Sequence, residues 1–207
     1  MAFNEGDEEK GLIATGTGVA IAKNYIATNC HVILDKELTE KRKQYEFHDV
    51  ILVENLLDEK KAGAVKLYKN GFLKNIYICI LKTKSNLNYV KKRIKYKKLK
   101  QRNVVIAMGN PNQIIGHTAD GKITALEKQG YVVSEFNKED VIKLKDPLKI
   151  IHHDAAIGSG SSGGPLFDAS GNLVGINTWI ISVTGDTTSG GFGMALSADH
   201  IQDVLRD

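Results

Sequence analysis

Residues Gly158 to Asp168 read Gly-Ser-Gly-Ser-Ser-Gly-Gly-Pro-Leu-Phe-Asp, which is the most informative stretch of the chain. A serine hydroxyl is a weak nucleophile that needs a base and a prepared site for the oxyanion that develops during attack. Gly160 lets the backbone turn an N–H group toward that site, and Ser162 supplies a second N–H group. Gly163 and Gly164 allow neighbouring chain segments to approach without a Cβ atom in the way. The alternative is an ordinary glycine- and serine-rich loop.

An upstream stretch supplies the base that such a nucleophile needs. Apolar residues between Val19 and Ile26 alternate with small or polar ones around a turn at Lys23-Asn24, which predicts a β-hairpin. His31 follows the second strand of this hairpin, so we expect it at the strand end. The base then precedes Ser162 by about 130 residues, the order found in chymotrypsin-type enzymes. A histidine in the core or on the surface is the alternative role.

Four segments resemble those of bacterial trypsin-like peptidases, including the HtrA (DegP-type) catalytic domain. The histidine segment Thr28-Asn-Cys-His-Val32 is similar to the family motif Thr-Asn/Ala-x-His-Val. The other three, which cover a Gly-Asn-Pro segment, the serine cassette and a closing strand, are residues 109–124, 154–178 and 194–199. The resemblance covers almost the whole chain. Because the sequence ends at Asp207, we expect a peptidase domain without the PDZ domain that is common in this group.

The resemblance implies a serine endopeptidase that works through an acyl-enzyme. His31 would be the base, Ser162 the nucleophile, and the amides of Gly160 and Ser162 the oxyanion hole. It also implies an S1 pocket whose floor lies about six residues before the nucleophile, at Ala156 with Ile157 beside it. The pocket walls would come from Asn177, Thr178, Trp179 and the stretch from Gly191 to Met194. No carboxylate stands at the floor, so we expect a small or medium apolar P1 residue rather than Lys or Arg.

The third triad position departs from the family pattern. The family cassette reads Asp-Leu-Cys/Ala-Leu-Leu-Lys, whereas the matching stretch here is Tyr77-Ile-Cys-Ile-Leu-Lys82. Tyr77 therefore stands at the aspartate position, with Asn75, on the same strand face, as the alternative. Neither is a carboxylate, and residues 60–119 contain no Asp or Glu. Two functions stay open, namely an endopeptidase with a non-standard triad and a weak or inactive pseudoprotease that acts as a peptide- or partner-binding scaffold.

Short β-branched runs separated by glycine-containing turns predict an all-β fold. Together with the resemblance, they indicate a chymotrypsin-like pair of six-stranded β-barrels, and 207 residues suffice for one such unit. We expect the N-terminal barrel over about 10–90, a linker over 91–102 and the C-terminal barrel over 103–196. A short helix over 197–207, with Ser197 as its N-cap, would end the chain.

Positive charge is concentrated in the linker, where Lys91–Arg102 carries eight Lys or Arg residues. Such a run suits an acidic partner, or it is a solvated connection. The net charge is only +4 and no nucleic-acid-binding motif is present, so nucleic acid is not the expected partner. His152 and His153 are neighbours on one strand and should face opposite ways, so we predict no metal site, and no cofactor is expected.

The expected location follows from the absence of targeting features. No apolar run reaches 18 residues, so we expect no membrane-spanning helix. The first ten residues are polar and acidic and do not form a signal peptide, which favours a cytoplasmic protein, or a periplasmic or secreted one if the chain is a trimmed piece. Cys30 and Cys79 are expected to lie near each other, and buried free thiols are favoured over a disulfide.

Overall fold

The computed structural model describes residues 2–3, 15–54, 61–111, 114–134, 136, 139–181 and 192–206, and it contains two six-stranded β units. The first is an antiparallel sheet with the strand order β1-β4-β5-β6-β3-β2. Its strands are β1 (Ala2–Phe3), β2 (Val19–Ala22), β3 (Tyr25–Asn29), β4 (Val50–Glu54), β5 (Lys61–Lys69) and β6 (Ile78–Lys82). The predicted hairpin is therefore present as β2 and β3.

Two α-helices and a 3-10 helix interrupt the first sheet. The single-turn helix α1 (Cys30–Ile33) follows β3 directly, and α2 (Lys36–Arg42) comes after it. The carboxylate of Asp35 caps α2 by accepting a hydrogen bond from the Leu38 amide at 2.9 Å. A 3-10 helix at Gly71–Lys74 leads into β6.

The second unit is a closed barrel with the order β10-β11-β12-β9-β8-β7. Its strands are β7 (Val104–Gly109), β8 (His117–Val133), β9 (Val141–His153), β10 (Pro165–Asp168), β11 (Leu173–Ile181) and β12 (Phe192–Ser197). Antiparallel pairing of β10 with β7 closes the barrel. The prediction of an all-β chymotrypsin-like fold is confirmed, although only the second unit is closed within the described residues.

One hydrophobic cluster joins the two units. It combines Ile78 and Ile80 of β6 with Leu148 and Ile150 of β9 and with Ile201 of the C-terminal helix. All five side chains are buried. The two units are therefore held together by a shared core rather than by surface contacts alone.

The C-terminal helix α3 is shorter than predicted. It spans Asp199–Leu205, and its N-cap is Ala198, so the assignment of Ser197 as N-cap is wrong. Ser197 is the last residue of β12, and its hydroxyl accepts a 3.3 Å hydrogen bond from the Asp199 amide. Ser197 still bonds to the first turn of the helix, but it belongs to β12, and the helix begins one residue later than predicted.

The basic linker is anchored by its apolar residues. Tyr96 is buried, and its hydroxyl donates to the Glu127 carbonyl at 2.8 Å, while Leu99 packs in the same core cluster. The eight Lys and Arg residues of Lys91–Arg102 are all exposed. The linker thus presents a solvated basic face on a fixed backbone. No helix in the described part of the chain is long and apolar enough to cross a membrane.

The two cysteines form a disulfide, so the expectation of free thiols is wrong. Pairing of β3 with β6 places Thr28 opposite Cys79, and Cys30 lies just beyond the end of β3. The Cα atoms of Cys30 and Cys79 are 4.8 Å apart, within the range that a disulfide bridges. The strand register, which their 49-residue separation does not reveal, brings them together.

Candidate active site

The loop over residues 158–164, called the nucleophile loop below, has an unusual pattern of backbone hydrogen bonds. The amides of Ser161, Gly163 and Gly164 donate to carbonyls at 2.8–2.9 Å. Within the described part of the chain, the amides of Gly160 and Ser162 have no acceptor. Ser162 is partly exposed, and its own N–H group together with that of Gly160, two residues earlier, can bind an oxyanion.

Glycine conformations shape this loop. Gly160 has φ +96° and Gly163 has φ +86°, a region that side chains with a Cβ atom rarely adopt. A Cβ atom on Gly163 would lie 2.1 Å from the Thr17 carbonyl oxygen, 2.2 Å from the Thr28 hydroxyl and 3.0 Å from the Asn29 amide nitrogen. Gly163 therefore packs directly on the end of β3.

This packing sets the two segments that carry the predicted catalytic residues side by side. Gly163 follows Ser162 in the chain, and Asn29 precedes His31 by two residues. The contact between Gly163 and Asn29 thus sets the nucleophile loop beside helix α1. Within the described residues no hydrogen bond joins the side chains of His31 and Ser162, as is common in substrate-free sites.

His31 is a partly buried base without an acidic partner. Burial and the nearby Lys36 ammonium lower the pKa of His31 to about 4. In the described part of the chain, no carboxylate counteracts this shift, and neither ring nitrogen of His31 has a hydrogen-bond partner. The imidazole is therefore neutral at pH 7 and can accept a proton, but its charged form is poorly stabilised.

Aromatic packing surrounds Tyr77, the residue predicted to stand at the third triad position. The Tyr77 ring packs edge-on against Phe72 and Trp179, with ring centroids 5.3 and 5.0 Å apart. The Tyr77 carbonyl accepts a 2.8 Å hydrogen bond from the Cys30 amide. Asn75 ends the 3-10 helix in a left-handed conformation with φ 55°. In the described residues, neither side chain is hydrogen-bonded to His31.

Asn29 belongs to the site, although the sequence reasoning did not single it out. Its side chain is fully buried and donates to the Thr178 hydroxyl at 3.1 Å and to the Tyr77 carbonyl at 3.4 Å. It therefore ties the strand before His31 to β11. The only signal in the sequence was its place in the Thr-Asn-x-His-Val motif.

The predicted S1 residues differ in exposure. Ala156 is exposed, and Ile157 is partly buried against a core cluster of the barrel. Asn177 and Thr178 are buried, whereas Trp179 and Met194 are partly exposed. Trp179 pairs with Met194 across β11 and β12. Gly191 lies outside the described residues.

His153 is a second buried histidine that the sequence reasoning did not place in the site. Its Nε2 lies 3.1 Å from the Asn177 side-chain oxygen, and Asn177 donates through Nδ2 to the Pro165 carbonyl at 3.3 Å. Burial lowers the pKa of His153 to about 4. His152 faces the other way and lies 2.8 Å from Glu127, so the two neighbours occupy opposite faces as predicted. His153 supports the strand that receives the Gly163 amide.

Comparisons with known proteins agree with this geometry. A profile of the family described as trypsin-like peptidase domain matches residues 16–176. The probable periplasmic serine endoprotease DegP-like of Brucella suis biovar 1 is 29% identical over 202 residues, which cover 93% of this chain and 33% of the relative. The periplasmic serine endoprotease DegP of Escherichia coli K12 is 28% identical over 203 residues, covering 97% and 37%. This chain therefore spans about a third of the length of these relatives.

Solved structures give the same result. The HtrA-type protease AlgW with a decapeptide superposes with a TM-score of 0.68 at 28% identity, covering 92% of this chain and 50% of that chain. The same type of protease with a tripeptide gives a TM-score of 0.67 at 28% identity, covering 93% and 55%. Both similarities extend across the two β units described above.

Proposed function

The chain belongs to the trypsin-like peptidase domain family, and on this premise we propose that it is a serine endopeptidase with His31 as base and Ser162 as nucleophile. The observation that carries the proposal is the pair of amides at Gly160 and Ser162, which have no acceptor in the described residues, beside the bonded amides of Ser161, Gly163 and Gly164. Such donors act on charge that exists only in the transition state, and one of them is worth about 10²–10³ in rate.

In the proposed reaction, the Ser162 hydroxyl attacks the peptide carbonyl while His31 takes its proton. The carbonyl oxygen becomes an oxyanion that accepts hydrogen bonds from the Gly160 and Ser162 amides. His31 then gives its proton to the leaving amine, and the acyl-enzyme forms. Water, activated by His31, releases the acyl group and restores the serine. The step that suffers is the formation of imidazolium, because no carboxylate of the described residues stabilises it.

The substrate we propose is a peptide with a small or medium apolar P1 residue. Ala156 and Ile157 bring no charge to the expected pocket, and Trp179 and Met194 offer apolar walls. A library of peptides varied at P1 tests this. Cleavage after Ala, Val or Leu should exceed cleavage after Lys or Arg, and the reverse order would overturn the assignment of the pocket.

A compartment outside the reducing cytoplasm fits this protein best. The buried disulfide between Cys30 and Cys79 persists where thiols are oxidised, and the relatives named above are periplasmic. This favours the periplasmic alternative over the cytoplasmic expectation. Mass spectrometry of protein from its native cells, with thiols alkylated before lysis, would decide: unalkylated, paired cysteines are the expected result.

The second candidate function is a peptide-binding pseudoprotease. Tyr77, packed between Phe72 and Trp179, favours it, because an aromatic ring fills the position of the acid. Such a protein would keep the peptide groove and lose turnover.

A fluorophosphonate probe separates the two functions, because labelling requires an activated serine hydroxyl. Wild-type protein and the Ser159→Ala control, which removes an exposed hydroxyl of the same loop, should both be labelled. Ser162→Ala should not be labelled and should cleave no peptide. Folded wild-type protein that resists labelling, yet binds peptide, would establish the pseudoprotease instead.

A further inference from the structure

Thr17, which precedes β2, bonds to the nucleophile loop through its amide and its hydroxyl. Its amide donates to the Ser162 carbonyl at 2.9 Å, and its hydroxyl donates to the Gly160 carbonyl at 2.7 Å. The same hydroxyl accepts from the Asn110 amide at 3.2 Å. The Thr17 carbonyl accepts from the Thr28 hydroxyl at 2.7 Å. One residue of the first β unit is thus bonded to two carbonyls of the loop that carries Ser162.

The shape of Thr17 fits the loop as closely as its hydrogen bonds do. A Cβ atom on Gly164 would lie 3.2 Å from the Thr17 methyl carbon. A Cβ atom on Gly163 would lie 2.1 Å from the Thr17 carbonyl oxygen. The two glycines therefore give Thr17 its place against the backbone, and a bulkier loop would push it away.

From these contacts we propose that Thr17 is a positioning residue that fixes the conformation of Gly160 and Ser162 so that their amides face the substrate carbonyl. The proposal deepens the proposed function and rests on it. Glycine occupies positive and negative φ at similar cost, so the φ of +96° at Gly160 must be held by its neighbours. The Thr17 hydroxyl holds the carbonyl of Gly160, and the Thr17 amide holds that of Ser162.

The consequence is specific to the transition state. Without the hydroxyl, the Gly160 carbonyl loses its donor, and the residue can rotate away from the conformation that leaves its amide open. An oxyanion donor out of place lowers kcat, whereas binding of the ground-state peptide is little changed. Loss of a residue that served only the stability of the fold would not lower kcat selectively while KM stayed the same.

Two substitutions at Thr17 separate the contribution of its hydroxyl group from that of its side-chain shape. Thr17→Val keeps the branched shape and removes the hydroxyl, and Thr17→Ser keeps the hydroxyl. We expect Thr17→Val to lower kcat and the fluorophosphonate labelling rate by about 10–100-fold with KM nearly unchanged. Thr17→Ser should stay within about threefold of wild type. The matched control is Thr39→Val, because the Thr39 hydroxyl also donates and accepts, to and from Glu46, but on helix α2.

Hydrogen–deuterium exchange of the nucleophile loop gives a readout that does not depend on turnover. In a Ser162→Ala background, Thr17→Val should speed exchange of the bonded amides of Ser161, Gly163 and Gly164, and Thr39→Val should not. Unchanged loop exchange together with unchanged kcat in Thr17→Val would overturn the proposal, as would an equal loss of kcat in Thr17→Ser. A wild-type protein without labelling would overturn the proposed function, and the exchange measurement would still decide the role of Thr17.

Discussion

The nucleophile loop and helix α1 differ in how their polar groups are satisfied. The nucleophile loop is bonded to Thr17, Asn177 and its own residues, and within the described residues the amides of Gly160 and Ser162 have no acceptor. In the described part of the chain His31 has no hydrogen-bond partner, and the residue before it, Cys30, is held by the disulfide to Cys79. In the proposed mechanism the site stabilises an oxyanion better than an imidazolium, so we expect proton transfer to His31 to limit the rate.

The largest loss of stability and labelling is expected from adding a single methyl group to the nucleophile loop. Gly163→Ala would place a Cβ atom 2.1 Å from the Thr17 carbonyl oxygen at a φ of +86°. Steric overlap and left-handed strain together should lower the free energy of unfolding by about 3–5 kcal/mol. Labelling of Ser162 should fall about 10³-fold, because the whole loop must move.

Gly171→Ala is the matched control for this substitution. Gly171 has φ +73°, and a Cβ atom there would meet no atom within 4 Å. Strain alone should cost about 1 kcal/mol, and labelling should be unchanged. Urea unfolding and labelling rates measure both variants, and equal losses in the two would show that the contact with Thr17 is irrelevant.

Removing the disulfide tests the other side of the site. The link joins Cys30 to Cys79 across 49 residues, so a Cys30→Ala/Cys79→Ala variant should lose about 4 kcal/mol of unfolding free energy by chain entropy. Labelling should also slow, because His31 follows Cys30 directly. Exchange in the loop over 158–164 should stay as in wild type. Faster exchange in that loop would show that the two sides do not behave independently.

Acid should weaken the protein through its buried histidines. His153 has its pKa lowered to about 4 in the folded state, and the unfolded chain has the usual value of about 6.5. Between these values the unfolded state binds the extra proton, so stability is greatest above pH 6.5 and falls as pH drops toward 4. His153 alone should account for about 2 kcal/mol between pH 7 and pH 4.5.

The pH dependence is measured with urea unfolding of two neighbouring variants. His153→Gln keeps a donor for Asn177 and should flatten the dependence on pH. His152→Gln, on the opposite face beside Glu127, should leave it as in wild type. If the unfolding free energy changed with pH equally in wild type and His153→Gln, the assignment of the extra proton to His153 would be contradicted.

The smallest effect is expected from restoring an acid. Tyr77→Asp should raise the labelling rate about tenfold, because a carboxylate stabilises the imidazolium of His31. The wild-type rate should fall on the acidic side only near pH 4, where His31 becomes protonated. The rate of the variant should fall at a higher pH. Tyr77→Phe preserves the ring without adding a carboxylate, so it should not raise the labelling rate.

Asn75→Asp decides between the two positions left open by the sequence. Asn75 lies in a left-handed turn, which an aspartate tolerates. If this variant rather than Tyr77→Asp gains rate, the aspartate position was assigned two residues too late. A wild-type acidic limb above pH 6.5 would instead mean that a carboxylate outside the described residues reaches His31.

The sequence revealed those parts of the site that lie within short contiguous motifs. The glycines around Ser162 and the hairpin before His31 carry their geometry in local backbone preferences, so they could be predicted. Asn29 and Thr178 are 149 positions apart, and their bond depends on how the two β units pack. The disulfide depends on strand register in the same way, and both were therefore missed.

The bond between Thr17 and Gly160 spans 143 positions, with a consequence for the protein during synthesis. At about 5–20 residues per second, a ribosome needs roughly 7–30 s to travel from one partner to the other. For most of that interval His31 has already been made, whereas Ser162 has not. In the proposed mechanism, a chain that stalls before residue 162 therefore cannot cleave its surroundings, because it lacks the nucleophile.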